Sequence, residues 1–294
     1  MTIAQEMHEE FGILGIRCHT DGQEVLTELF DDTCRRNVYS ASKSFTSIAV
    51  GFAVQEGMLR LDEKLTDVFA GSLPDDVPFQ LEAARVRDLL TMGLGQSGSH
   101  LMGAERPDLR SDDWMRLALS YPFSDMPGTV FRYSNVGPYL AGRLVEQRSG
   151  EDLLDFLMPR LFEPLDIPRP TWETDHQGHT FGAGGLMLNI HEMHKVGVCL
   201  LQNGVWNGRQ VIPQAWIREA SAVQIRDRNI EYGYLFWRGA RGSYRADGKY
   251  GQLIIVCPEL NSVVTVVSEC HRDGLVQALE NRIFPVLEAS RSLV

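Results

Sequence analysis

The stretch VYSASKSFTS, residues 38–47, decides how this chain is read. Ser40 stands three residues before Lys43, and the chain then turns apolar. Phe45, Ile48, Ala49, Phe52 and Ala53 recur at i, i+3, i+4, i+7 and i+8, the spacing of one helical face. A helix is therefore predicted from residue 40 to about 57, ended by Gly57. Residues i and i+3 share a face, so the side chains of Ser40 and Lys43 can meet. Two readings stay open at this point. Either Ser40 caps the helix and Lys43 is a solvated charge, or Ser40 is a nucleophile and Lys43 its base. Ser-x-x-Lys is too short a pattern to choose between them. Physical chemistry favours the second in two respects. A nucleophile at a helix N-terminus gains free N–H donors for a developing oxyanion. A lysine followed by packing residues is desolvated, and its lowered pKa lets it accept a proton.

A lysine base needs a second proton-transfer group, and FRYSNVGPYLAG, residues 131–142, offers one. Met126-Pro127-Gly128 turns the chain into Tyr133-Ser134-Asn135, and a helix pattern follows directly. A tyrosine on such a turn can project its phenol into a cleft. Tyr133 and Lys43 both have ordinary pKa values near 10, so their titration would belong to the set.

Working outward, FGILGIRC and EVLTELF read as strands after a short N-terminal helix. The middle of the chain carries apolar residues at helical spacing in DDWMRLALS, GPYLAGRLVEQRSG, EDLLDFLMPRLF, IHEMHKVGVCLLQNG and PQAWIREASA. The end becomes β-rich again in YGYLFWRG, SYRADG, GQLIIVCP and SVVTVVSE, and one helix, DGLVQALENRIFPVLEAS, closes it. Strands at both ends and helices between them predict an α/β (α+β) fold. One antiparallel sheet is built from both termini and flanked by helices. Residues 1–58 and 226–294 form the α/β part, 59–225 an inserted mainly helical domain, and the active site lies in the cleft between them.

Composition narrows the partners. The 294 residues carry a net charge of −11 with no basic run, which argues against nucleic acid or an anionic membrane surface. No apolar run is long enough to span a membrane. The polar, acidic start MTIAQEMHEEFG lacks the pattern of a secretion signal. Cysteines at 18, 34, 199, 257 and 270 show no Cys-x-x-Cys spacing and read as free thiols in the reducing cytoplasm. Cys199, Cys257 and Cys270 fall in apolar runs and read as buried filler. His191 and His194 lie three apart on a helix with no evident third ligand, so no metal is expected.

Together these segments resemble the serine β-lactamase-like hydrolases: class C β-lactamases, penicillin-binding D,D-peptidases and related esterases and amidases. Similarity is greatest to the short members grouped with 6-aminohexanoate-dimer hydrolase and the family's esterases. YSASKSFTSIAVGFAVQEGMLRLDEKL resembles the family's nucleophile helix, and PGTVFRYSNVGPYLAGRLVEQRSGEDLLDFL its second motif. GAGGLMLNIHEMHKVGVCLLQNG resembles the Gly-Gly-Leu segment, and YRADGKYGQLIIVCPELNSVVTVV the third-motif strand. The resemblance implies an acyl-enzyme mechanism without cofactor on a small ester or amide. It makes Ser40 the nucleophile, Lys43 the base and Tyr133 its partner. Asn135 would orient Lys43 and the substrate, and the N–H groups of Ser40 and of Lys249, next to Gly248, would form the oxyanion hole.

Two departures bear on substrate. Where lactamases and D,D-peptidases carry a cation, a small residue and Gly, this chain has Ala246-Asp247-Gly248, so the charge that binds a substrate carboxylate is missing. On a continued strand Lys249 would share a face with Asp247, and Lys249 or Arg245 could pair with it. Gly93-Leu94-Gly95 replaces the usual Ser-Gly after Met92, which alters the cleft wall. A β-lactamase or D,D-peptidase, and a non-catalytic binding or sensing module on the same fold, remain alternatives. The sequence is silent on oligomeric state.

Overall fold

The computed structural model describes residues 2–31 and 33–291. Near the N-terminus β1 (Ile13–Thr20) and β2 (Gln23–Leu29) form an antiparallel hairpin. Asp21 and Gly22 both take positive φ at its turn, which suits the twist of a two-residue connection. Later come β3 (Ile225–Asp227), β4 (Ile230–Tyr232), β5 (Trp237–Arg238), β6 (Tyr244–Gly248), β7 (Gln252–Cys257) and β8 (Ser262–Ser268). The eight strands run β2-β1-β8-β7-β6-β5-β4-β3 across one sheet. β1 pairs with β8 in the register Ile16↔Val266, so the two ends of the chain meet inside the sheet, as predicted.

Every residue of β7 is buried, because both faces of the sheet are covered. Leu253, Ile255 and Cys257 face a core with Met7 and Phe11 of α1 (Ile3–Phe11) and with Leu279 and Phe284. Ile254 and Val256 alternate to the opposite core, where Met193, Val196 and Leu200 of α4 (Ile190–Leu201) pack on them. The closing helix is two helices, α5 (Leu275–Arg282) and α6 (Phe284–Arg291). Pro285 has no N–H for the Asn281 carbonyl, so one continuous helix cannot form.

The predicted amphipathic helix is α2 (Ser42–Gln55), and it is buried on all sides from Ser42 to Ala53. It packs on α3 (Val136–Ser149). Its small hydroxyls make this possible by bonding outward to neighbouring carbonyls: Ser44 to Leu235 O at 2.8 Å and Thr46 to Gly182 O at 2.6 Å. α4 falls inside the 59–225 range but packs on the sheet, so the chain returns to the sheet well before residue 226. Cys18, Cys199, Cys257 and Cys270 are buried free thiols. Among the described residues no helix is long and apolar enough to cross a membrane.

Candidate active site

α2 is entered through a 3₁₀ turn, Tyr39–Ala41. Tyr39 has φ +48°, a left-handed conformation that costs a side-chain-bearing residue about 1–2 kcal/mol. Its surroundings hold it there. Its N–H donates to Asn37 Oδ1 at 2.7 Å, its carbonyl accepts from Ser42 Oγ at 2.6 Å, and its ring stands edge-on to Tyr250 at 5.4 Å. The turn leaves Ser40 half-buried just ahead of the first turn of α2.

Lys43 lies one turn on and is only 2% exposed. Its Nζ is 2.9 Å from Ser40 Oγ and 2.7 Å from the Ala183 carbonyl. Burial, helped by the positive charge of Arg106, holds its pKa well below the ordinary 10.5. Its Nζ donates to the Ala183 carbonyl and to Ser40 Oγ, and no bulk water surrounds it. The capped-helix alternative with a solvated lysine is therefore excluded.

Tyr133 comes from the turn before α3, and its phenol stands beside Ser40. Lys43 Nζ lies 5.0 Å from its ring centroid. Burial raises the phenol to about 12, against the opposing influence of the Ser40 hydroxyl, with the negative charge of Asp247 adding to the rise. Trp237 stacks on Tyr133 at 5.8 Å, and the Arg245 guanidinium lies 5.7 Å from the Trp237 ring. Ser40, Lys43 and Tyr133 thus lie together in one cluster.

Asn135, which opens α3, is held by the segment that passes over it. Its Nδ2 donates to Leu101 O at 2.8 Å, its backbone N–H donates to His100 O at 3.1 Å, and its buried Oδ1 has no partner. It anchors the 100–106 segment, and the contacts of Lys43 Nζ are Ser40 and Ala183 instead. The altered loop also differs from expectation. Gly93 and Gly95 accept bonds from Gly128, Ser124 and Asp125, and a Cβ on Gly95 would stand 2.3 Å from Asp125 O. These glycines serve a close loop–loop approach, and His100 and Leu101 are the residues that reach the second motif.

In the third motif Ala246 is buried and Arg245 Nε donates to Asp247 Oδ2 at 2.8 Å. The strand ends at Gly248, and Lys249 lies in the following turn. Its ammonium sits 4.7 Å from the Tyr250 centroid, so strand alternation does not carry it to Asp247. Gly248 itself approaches the nucleophile turn closely. A Cβ there would stand 2.1 Å from the Val38 carbonyl oxygen. Gly248→Ala must push strand and turn apart and is expected to lower kcat/KM at least about tenfold, since small misplacements at a site are costly. Kinetics alongside a thermal melt check that the rate falls more than the stability.

Two elements escaped the sequence reading. The Ala183 carbonyl that holds Lys43 lies in a segment noted only for its glycines, and a backbone acceptor leaves no residue-type signal. Arg106, whose positive charge adds to burial in lowering Lys43, lies in a segment with no helical or strand pattern in the sequence. His191 and His194 go to separate partners: His191 Nδ1 meets Arg17 Nη1 at 2.8 Å and His194 Nδ1 meets Thr265 Oγ1 at 2.9 Å.

The profile of the beta-lactamase family matches residues 30–283. The chain is 25% identical over 280 residues to a 6-aminohexanoate-dimer hydrolase of Paenarthrobacter ureafaciens, covering 84% of this chain and 70% of that protein. It is 32% identical over 150 residues to a lovastatin esterase of Penicillium rubens, covering 44% and 37%. An octameric penicillin-binding protein homologue from Pyrococcus abyssi has a similar structure. The TM-score is 0.75 at 18% identity, over 96% of this chain and 76% of that one. A penicillin binding protein from Bacillus halodurans gives 0.74 at 17% identity, over 97% and 100%. At these identities the two structures speak for the fold.

Proposed function

The chain belongs to the β-lactamase family and is a hydrolase, and from that premise we propose that Ser40, Lys43 and Tyr133 carry out acyl transfer on a small neutral ester or amide. The observation that carries this is Lys43: buried, its pKa held down by that burial, and 2.9 Å from Ser40 Oγ. As Ser40 Oγ attacks the substrate carbonyl carbon, its proton passes to Lys43 Nζ. The carbonyl electrons move to oxygen, which the N–H groups of Ser40 and Lys249 receive. When the tetrahedral centre collapses, the leaving group takes the Tyr133 proton, and Lys43 returns a proton to Tyr133. Water then attacks the acyl-Ser40 and passes its proton into the same pair, and as the acyl–Oγ bond breaks the pair returns that proton to Ser40 Oγ and the acid leaves. No step calls for a cofactor. Asn135 supports the site by fixing the 100–106 wall. The buried free thiols Cys18, Cys199, Cys257 and Cys270 support a reducing compartment, the cytoplasm.

The third motif supports the neutral substrate. Asp247 is paired with Arg245, and Lys249 is committed to the Tyr250 ring. A charge-assisted contact to a carboxylate contributes about 1.5–3 kcal/mol, and its loss removes about one to two powers of ten in kcat/KM. Neutral p-nitrophenyl acetate is therefore expected to outperform nitrocefin by at least about tenfold in kcat/KM. The variant Ala246→Lys with Asp247→Thr is expected to narrow the gap. A wild type that prefers nitrocefin would establish the penicillin-recognising alternative, and one that turns over neither ester, amide nor lactam would establish the binding module.

A further inference from the structure

The turn that carries the Ala183 carbonyl is gripped from two sides. On one side stands α2. Thr46 Oγ1 donates to Gly182 O at 2.6 Å, Lys43 Nζ donates to Ala183 O at 2.7 Å, and the Leu186 N–H donates to Ser42 Oγ at 3.1 Å. The turn closes on itself through the Gly184 N–H, which donates to Phe181 O at 3.1 Å. On the other side stands Trp172, 8% exposed. Its indole Nε1 donates to Phe181 O at 3.1 Å and to Gly184 O at 2.9 Å. One N–H therefore spans the first and last residues of the turn, and Ala183 lies between them. Phe181 and Gly184 are both buried, so carbonyls there need a donor from the protein.

We infer that Trp172 is a positioning residue for the proton transfer: its indole N–H, shared between the Phe181 and Gly184 carbonyls, locks the turn that aims the Ala183 carbonyl at Lys43 Nζ. The inference rests on the Ser40–Lys43 reading above. A lysine ends in a flexible four-carbon stem with rotatable donors, so an acceptor at 2.7 Å fixes where Nζ stands, which is 2.9 Å from Ser40 Oγ. When Nζ takes the Ser40 proton, the same carbonyl accepts from a charged donor, a stronger bond than a neutral one. A carbonyl turned aside forfeits both effects. The residues after the turn are fixed independently to the nucleophile segment: the Val38 N–H donates to Leu186 O at 2.9 Å, and Asn37 pairs with Met187. That leaves the 181–184 turn as the part that Trp172 sets.

Substitutions at position 172 separate the N–H from the bulk of the ring. Trp172→Phe keeps an aromatic ring and removes the donor. Trp172→His loses more of the ring, but in the same rotamer its Nε2–H stands where the indole N–H stood. With p-nitrophenyl acetate, Trp172→Phe is expected to lower kcat about tenfold or more while KM changes by less than about twofold, since the misplaced group is the base and not a substrate contact. Trp172→His is expected to keep at least about threefold more of kcat than Trp172→Phe, whereas a packing role predicts the reverse order. In the Lys43→Met background Trp172→Phe is expected to cost less than about twofold, because the turn acts through Lys43. If Trp172→Phe does not fold, benzothienylalanine at position 172, which exchanges only the N–H for sulfur, is read in the same way. Wild-type kcat without the N–H, Trp172→His slower than Trp172→Phe, or an equal loss with and without Lys43 overturns the inference. Ser40→Ala, run in parallel, separates this from the underlying reading. Turnover there would break the Ser40–Lys43 account itself, while an inactive Ser40→Ala beside a fully active Trp172→Phe would remove this inference alone.

Discussion

Ser40→Ala is expected to lower kcat by about four powers of ten or more, as loss of the nucleophile does in other serine hydrolases. The geometry gives the reason. Lys43 Nζ stands 2.9 Å from Ser40 Oγ with the Tyr133 phenol beside it, and on the proposed mechanism alanine leaves them nothing to activate. The fold should persist. Ser40 is half-buried, and Lys43 retains the Ala183 carbonyl. A purified variant with a wild-type melting profile and a tenth of the wild-type rate would show that another group is the nucleophile.

Lys43→Met and Tyr133→Phe are each expected to cost about two powers of ten or more, and the double variant little beyond the worse single one. Groups that move one proton as a unit are non-additive. Fully multiplicative losses in the double-mutant cycle would mean that they act separately. Lys43→Met carries a second expectation, of opposite sign. In the folded chain the Lys43 pKa is depressed below its unfolded value of 10.5. Between those two values the unfolded chain binds more protons, so wild-type stability falls as pH drops through that window. A methionine of similar shape lacks this penalty. The variant is expected to be more stable at neutral pH, by on the order of 1–4 kcal/mol. Denaturant midpoints measured at neutral and alkaline pH check it, and the advantage should shrink as pH approaches 10.5.

The parts of this site that follow from local chemistry were legible in the sequence. Ser40 and Lys43 share a helical face because helices repeat every 3.6 residues, and the apolar spacing after them fixes that register. The sheet was legible because SVVTVVSE and GQLIIVCP are rich in Val and Ile and bounded by turn residues, the mark of short strands. Residues that depend on where the chain turns were not. Lys249 was placed by strand alternation, but β6 stops at Gly248 and Gly251, with φ +87°, closes a turn. α4 shows its apolar stripe plainly, yet a stripe does not say whether a sheet or a helix will cover it. The Ala183 carbonyl comes to Lys43 from a loop, and nothing in the local sequence marks that contact. Asn135 was legible as a site residue, but its partner Leu101 depends on the path of the 98–106 loop.

The central claim is that Ser40 is the acylated residue, and a fluorophosphonate adduct read by intact mass and peptide mapping tests it most directly. The account predicts a single phosphonyl adduct on Ser40 in the wild type and none in Ser40→Ala. Labelling that persists in Ser40→Ala, or an adduct mapped to any other serine, would contradict it.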